Sequence, residues 1–176
     1  MAGHNKWSKV KHKKAATDAQ KSKQFSKFAR LITTEVKRSG GDAEAANVRK
    51  VIEQAKSVNM PNENIERAIT RAKQADSAEM ESVVYEAYGP EGSALIIDGL
   101  TDNRNRTAAD VKSILSKHGI ELAQPGSASW AFTQTDDGRV AQTFIPLSES
   151  AKEKLNTIIE DLEENEDVQA VYTNAE

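Results

Sequence analysis

"SVVYEAYGPEGSALIIDGLTDNRNRTAADVKSILSKHG", residues 82–119, changes its hydrophobic period within a few turns of chain. Its first two runs, "SVVYEAY" and "SALIIDGL", are rich in β-branched and aromatic residues and are separated by the turn "GPEG", so they read as strands. The polar stretch "TDNRNRT" follows, and then the spacing becomes helical from about Thr107 to Lys117. Thr107 is the expected N-cap, with Asp110 at the N3 position and Gly119 just past the end. Val111, Ile114 and Leu115 form the expected buried face.

Outward from this stretch the pattern repeats. "SASWAFT" and "RVAQTFI" alternate around "DDG", where Asp137-Gly138 signals a tight hairpin. A helix is expected from about Glu149 to Glu164, burying Ala151, Leu155, Ile158, Ile159 and Leu162, and "VQAVYTN" closes as a strand. Without the first strand, the order is β-α-β-β-α-β, the split β-α-β or ferredoxin-like plan. Upstream, three helices are expected. The first runs from about Ala15 to Arg38, with Phe25, Phe28, Ala29, Ile32 and Val36 on one stripe, and "SGGD" ends it. The second spans Ala43 to Val58, and Pro61 sits in the first turn of the third. The expected class is α+β: an N-terminal arm and three-helix domain over 1–75, a linker at 76–80, and an antiparallel-sheet domain over 81–176 with a hairpin near 134–139.

Charge is segregated along this plan. The chain has 176 residues and a net charge of −3. Residues 1–38 carry eleven Lys/Arg against Asp18 and Glu35, a net +9, whereas residues 76–176 carry seven against twenty acids, a net −13. Such asymmetry points to a polyanionic partner for the head. The sequence has no cysteine, which removes disulfides, thiol catalysis and cysteine-ligated metal. No apolar run approaches the ~20 residues that span a bilayer. The basic front is lysine-rich and runs into a long helix, unlike an arginine-rich presequence, so the expected compartment is the cytoplasm.

Little in the sequence marks chemistry. "EDLEENED", residues 160–167, reads as a solvated charge run at a helix end. His4 and His12 are poorly spaced for a metal, and His118 beside Gly119 suits a helix C-terminus. "YGPEGSA" lacks the spacing and following helix of a phosphate cradle, and neither G-x-S-x-G nor H-E-x-x-H occurs. The expectation is a protein without catalysis, metal, cofactor or small-molecule substrate.

The head is more informative. Lys6, Lys9, Lys11, His12, Lys13 and Lys14 lie in the arm, followed by Lys21, Lys23 and Lys27 on the first helix. Lysines that line such a segment can neutralise phosphates and release counterions. Trp7, flanked by Lys6 and Lys9, either stacks on an unpaired base or folds back onto the helical core. Arg104 and Arg106 in "TDNRNRT" form a second set at the sheet's rim, where Asp102 or Asn105 would cap the helix and leave the arginines to contact phosphate or protein.

Several long motifs carry a family resemblance: "MAGHNKWSKVKHKKAATDAQKSKQFSKFAR", "NMPNENIERAI", "YEAYGPEGSALIIDGLTDNRNRT", "SKHG" and "DVQAVYTNA". In this order they resemble the YebC family, described under transcriptional-regulator and mitochondrial translational-activator names. The resemblance implies a non-catalytic regulator of gene expression, with a helical domain and α/β domains around a cleft. It implies DNA binding near promoters in some members, and in others ribosome association that supports synthesis through consecutive prolines. Two departures stand out. Ala43 replaces a usual proline, and only "TQTDDGR" stands where members carry a further inserted α/β domain. The flanking strands are then expected to complete one sheet. The partner expected is duplex DNA or ribosomal RNA, with no membrane; the alternative is a module that docks a basic protein through its acidic C-terminal half.

Overall fold

The computed structural model describes residues 18–74, 79–136 and 138–176. These fall into two compact units, one ending at Glu81 and one running from Ser82 to Glu176.

The first unit packs three helices: α1 (Asp18–Arg38), α2 (Ala46–Ser57) and α3 (Asn62–Ala72). Ile32 and Val36 of α1, Val48, Val51 and Ala55 of α2, and Ile65 and Ala68 of α3 form its buried centre, with Phe25, Phe28 and Ile69 packed around it. The turns are fixed by backbone chemistry. After α1, Gly40 takes φ +64°, the Gly40 N–H donates to Lys37 O and the Gly41 N–H to Val36 O, so a left-handed residue satisfies the last carbonyls. The same pattern ends α2, with Asn59 at φ +62° and Met60 buried behind it. The second helix starts at Ala46 rather than Ala43, because Asp42 Oδ1 accepts the Glu44 N–H and holds residues 42–45 in a turn. Pro61 precedes α3 instead of entering its first turn.

The second unit is built on a three-stranded sheet of order β1-β2-β5, from β1 (Glu81–Tyr88), β2 (Ala94–Thr101) and β5 (Val168–Thr173). The β2–β5 pair is antiparallel, with Ile96 opposite Tyr172 and a bulge between Asp98 and Gly99. α4 (Arg104–Lys117) and α5 (Glu149–Glu164) cover one face, burying Leu95, Ile97, Val111, Leu115, Leu155, Ile158 and Leu162 together. On the other face Ala94 and Ile96 meet Ala128 and Ala131. β2 is therefore covered on both sides, the physical reason its first four residues, Ala94 to Ile97, are all apolar. Gly99 admits a close approach: a Cβ there would lie 2.9 Å from Val83 Cγ2 and 3.0 Å from Asp167 O.

The α+β class and the order of elements follow the expectation, with three corrections. β3 (Phe132–Thr135) and β4 (Gly138–Ala141) form their own two-stranded ladder instead of completing the sheet. β1 and β5 already occupy both edges of β2, and the five-residue β1–β2 connection closes at little entropic cost. Second, Ser129–Ala131 is a 3-10 turn rather than strand. Third, the ladder closes at Thr135 opposite Gly138, so Gly138 opens β4 instead of sitting in the turn; Asp137 lies outside the described residues. No described helix is long and apolar enough to cross a membrane.

Candidate nucleic-acid interface

The arm residues Lys6, Trp7, Lys9, Lys11, His12, Lys13 and Lys14 lie outside the described residues. The other head residues stand on α1. At about 100° per residue, Lys23, Lys27, Arg30, Lys37 and Arg38 fall within an arc of about 100°, opposite the stripe of Ile32 and Val36. Lys21 is exposed but lies on the stripe's side, about three turns before Ile32, so it does not extend the arc. At the helix end Arg38 Nη1 donates to Glu35 Oε1 at 2.8 Å, and Glu35 Oε2 accepts from Asn47 Nδ2 at 2.7 Å. The cationic face is thus tied to α2 at its C-terminal end.

The rim loop is organised differently from its sequence reading. α4 begins at Arg104, and its cap is Asn103, whose Oδ1 accepts the Arg106 N–H at 3.1 Å. Thr107, expected as the cap, is fully buried one turn inside, with Oγ1 2.8 Å from Thr101 Oγ1 and 2.7 Å from Asp167 Oδ2. Arg106 closes this network from outside: its Nη2 donates to Asp167 Oδ2 and to Asp102 Oδ1, each at 2.8 Å. The hydrogen bond to Asp167, then that to Asp102, raise the guanidinium pKa further above its ordinary range. Arg104 is exposed, and its carbonyl accepts the Tyr85 hydroxyl at 3.5 Å. Burial, the largest influence, pushes the Tyr85 phenol up, and the Asp167 charge adds to this against Arg104. The two arginines differ in kind. Arg106 ties the loop to the residue that precedes β5, and Arg104 stands at the start of α4.

Two buried acids were not visible as site residues. Asp167 sits in the charge run read as solvated, yet its side chain is 5% exposed. Its signal was position, since it falls just before the apolar strand "VQAVY". Glu86 lies between apolar neighbours on β1, and its carboxylate accepts the N–H groups of Gly126 at 2.7 Å, Ala128 at 2.6 Å and Ser129 at 3.0 Å. Burial alone pushes this carboxyl up, but those three bonds and the Arg139 charge together bring it below its ordinary value. His118 meets Asp161 across α4 and α5 at 2.7 Å. Among the described residues no group of three or more His, Cys, Asp or Glu is placed to hold a metal. The hydroxyls of Thr101 and Thr107 are engaged with a buried carboxylate, an arrangement that fixes a loop.

Comparisons with known proteins cover nearly the whole chain. The family model described as "TACO1/YebC protein N-terminal domain" matches residues 5–75. The model described as "TACO1/YebC second and third domain" matches residues 80–136 and 133–175, two stretches that meet inside β3. A protein of Finegoldia magna named "Probable transcriptional regulatory protein" is 44% identical over 178 residues, which span all of this chain and 74% of that protein. One from Brachyspira hyodysenteriae, also named a probable transcriptional regulatory protein, is 45% identical over 96% of this chain and 69% of its own length. Among solved structures, a conserved hypothetical protein from Aquifex aeolicus superposes with a TM-score of 0.83 at 29% identity, covering 97% of this chain and 96% of that one. Matches that run through the basic head, the rim loop and both units make the chain a member of the TACO1/YebC family.

Proposed function

We propose that this protein is a cytoplasmic, non-catalytic regulator of gene expression that grips the phosphate backbone of a nucleic acid with its basic head. The observation that carries the reading is the segregation of charge: a net +9 over residues 1–38 within a chain of net −3. On α1 the cations Lys23, Lys27 and Arg30 are gathered on one arc, opposite Ile32 and Val36. Mobile counterions released from a polyanion reward such an array whatever its base sequence. The arm, with Lys6, Lys9, Lys11, His12, Lys13 and Lys14, supplies most of the phosphate contacts, and Trp7 stacks on an unpaired base where one is offered. Arg104 is a subsidiary contact, and Arg106 acts by holding the loop that presents it. The relatives' names favour DNA as the target, because they are called transcriptional regulatory proteins. The chain spans about three-quarters of its Finegoldia relative, and the stretches matched to the second and third domains meet at the β3–β4 hairpin. We read it as a shortened member whose insertion is replaced there.

The deciding experiment is crosslinking in cells followed by sequencing of the attached nucleic acid. Promoter-proximal DNA supports transcriptional regulation, and ribosomal RNA moves the same basic head to translation. Recovery of protein crosslinks alone would transfer the role to the acidic half and sink the reading.

A further inference from the structure

Beyond the basic head, the second unit carries an aromatic surface that the proposed function does not use. Trp130 is 59% exposed and Tyr88 40% exposed. The Trp130 Nε1–H donates to the Tyr88 hydroxyl at 3.4 Å, and that hydroxyl donates to Ser127 O. The pair stands on a rigid base. Glu86 takes the N–H groups of Ala128 and Ser129, Ala131 N–H returns to Ala128 O, and Gln142 N–H donates to Ala131 O at 2.7 Å. An exposed indole on a loop this well ordered is preorganised, which removes the ordering cost that binding otherwise carries. Tryptophan and tyrosine are also the residues that most often anchor interfaces.

Charge selects the occupant. Residues 76–176 carry a net −13, and the carboxylate at the base of the loop, Glu86, is held in its ionised form. On the same side of the sheet, Arg139 is bound to Asp98, with Nη2–Oδ1 at 3.1 Å and Arg139 only 17% exposed. A polyanion approaching the second unit meets its net negative charge. A cationic side chain meets complementary charge and, in tryptophan, the aromatic ring most attractive to a cation. We propose that Trp130 and Tyr88 anchor a basic polypeptide segment, with an arginine or lysine of the partner lying on the exposed indole face. The site belongs to the second unit, and the proposal does not rest on the head's target.

The test uses the full chain labelled with 5-fluorotryptophan, whose two indole signals are assigned with Trp130→Phe. It is titrated with a peptide of alternating arginine and glycine, with the same peptide carrying neutral citrulline for arginine, and with oligouridine. The Trp130 signal should move with the arginine peptide and hardly with the other two. Trp130→Ala should weaken peptide binding roughly three- to thirty-fold, with Trp130→Phe in between because a phenyl face keeps part of the attraction. If the alanine variant is misfolded by circular dichroism, the phenylalanine variant decides. Four results overturn the proposal: unchanged affinity in the variants, which leaves bulk charge alone; equal binding of the citrulline peptide; movement of Trp130 with oligouridine instead; or movement with protein concentration alone, which places a second copy there.

Discussion

Thr107 Oγ1 lies 2.7 Å from Asp167 Oδ2, joining the first turn of α4 to the connection between α5 and β5 across sixty residues of chain. Thr101 Oγ1 is 3.2 Å from the same oxygen, and the Asp167 carbonyl accepts the Leu100 N–H at 2.8 Å. Asp167→Asn should therefore destabilise the second unit by roughly 2–3 kcal/mol, since hydroxyl and guanidinium donors lose a buried anion. Thr107→Val should cost about 1 kcal/mol, and the double variant less than the sum, because both belong to one network. Urea unfolding of the four proteins measures this. Additive losses would mean that the contacts act independently.

Glu86 makes stability depend on acid. Its folded pKa lies below the ordinary 4.5. Its contribution is therefore complete above about that value and fades as pH falls through the folded pKa. Glu86→Gln should cost roughly 2–3 kcal/mol near neutral pH, where the anion accepts three N–H groups. The wild-type and variant curves should converge as pH falls below the ordinary 4.5 and through the lowered folded pKa. Trp130 fluorescence in urea series at several pH values reports the difference, and parallel curves would show that the carboxylate's charge contributes nothing.

Gly138 has φ +119°, and a Cβ there would overlap the Tyr172 hydroxyl and lie 3.1 Å from Tyr172 Cζ. Gly138→Ala combines backbone strain with a clash and should cost about 1–3 kcal/mol. Tyr172→Phe should restore part of that loss, because it removes the oxygen but leaves the ring. A melting temperature that stays unchanged in Gly138→Ala would show that the hairpin relaxes freely.

Binding by the basic head should carry a salt signature. Engaging roughly six lysines on duplex DNA gives a logarithmic slope of about −5. Replacing Lys9, Lys11, Lys13 and Lys14 with alanine should flatten it by about 3 to 4 units without changing the melting temperature. Trp7→Ala should instead weaken binding to unpaired strands by about 1–3 kcal/mol at nearly constant slope. Fluorescence anisotropy across a salt series separates the two effects. An unchanged slope in the four-alanine protein removes the arm from the interface.

Limited proteolysis should cut within "KQADSAEM", residues 73–80, and release two protected fragments. Each unit has its own apolar centre, one around Ile32, Val48 and Ile65 and the other around Leu95, Leu115 and Leu155. Protection of the 73–80 stretch in the folded chain would contradict separable units.

The sequence by itself determined what local periodicity and local charge control. The stripe of α1, the stop at Gly40, the helix over Glu149–Glu164 and the apolar run of β2 all follow from spacing and from residues that few backbone conformations suit. The basic head is legible because charge counts need no fold. Only the tertiary structure decided which charged residues are buried, since the local sequence around a carboxylate does not say which distant N–H and O–H donors will meet it. Asp167 and Thr107 are sixty residues apart, and Glu86 meets its donors some forty residues away. The hairpin strands were misplaced for the same reason: alternation marks a strand but leaves its neighbour open, and β1, joined to β2 by the shorter loop, occupies the edge of β2.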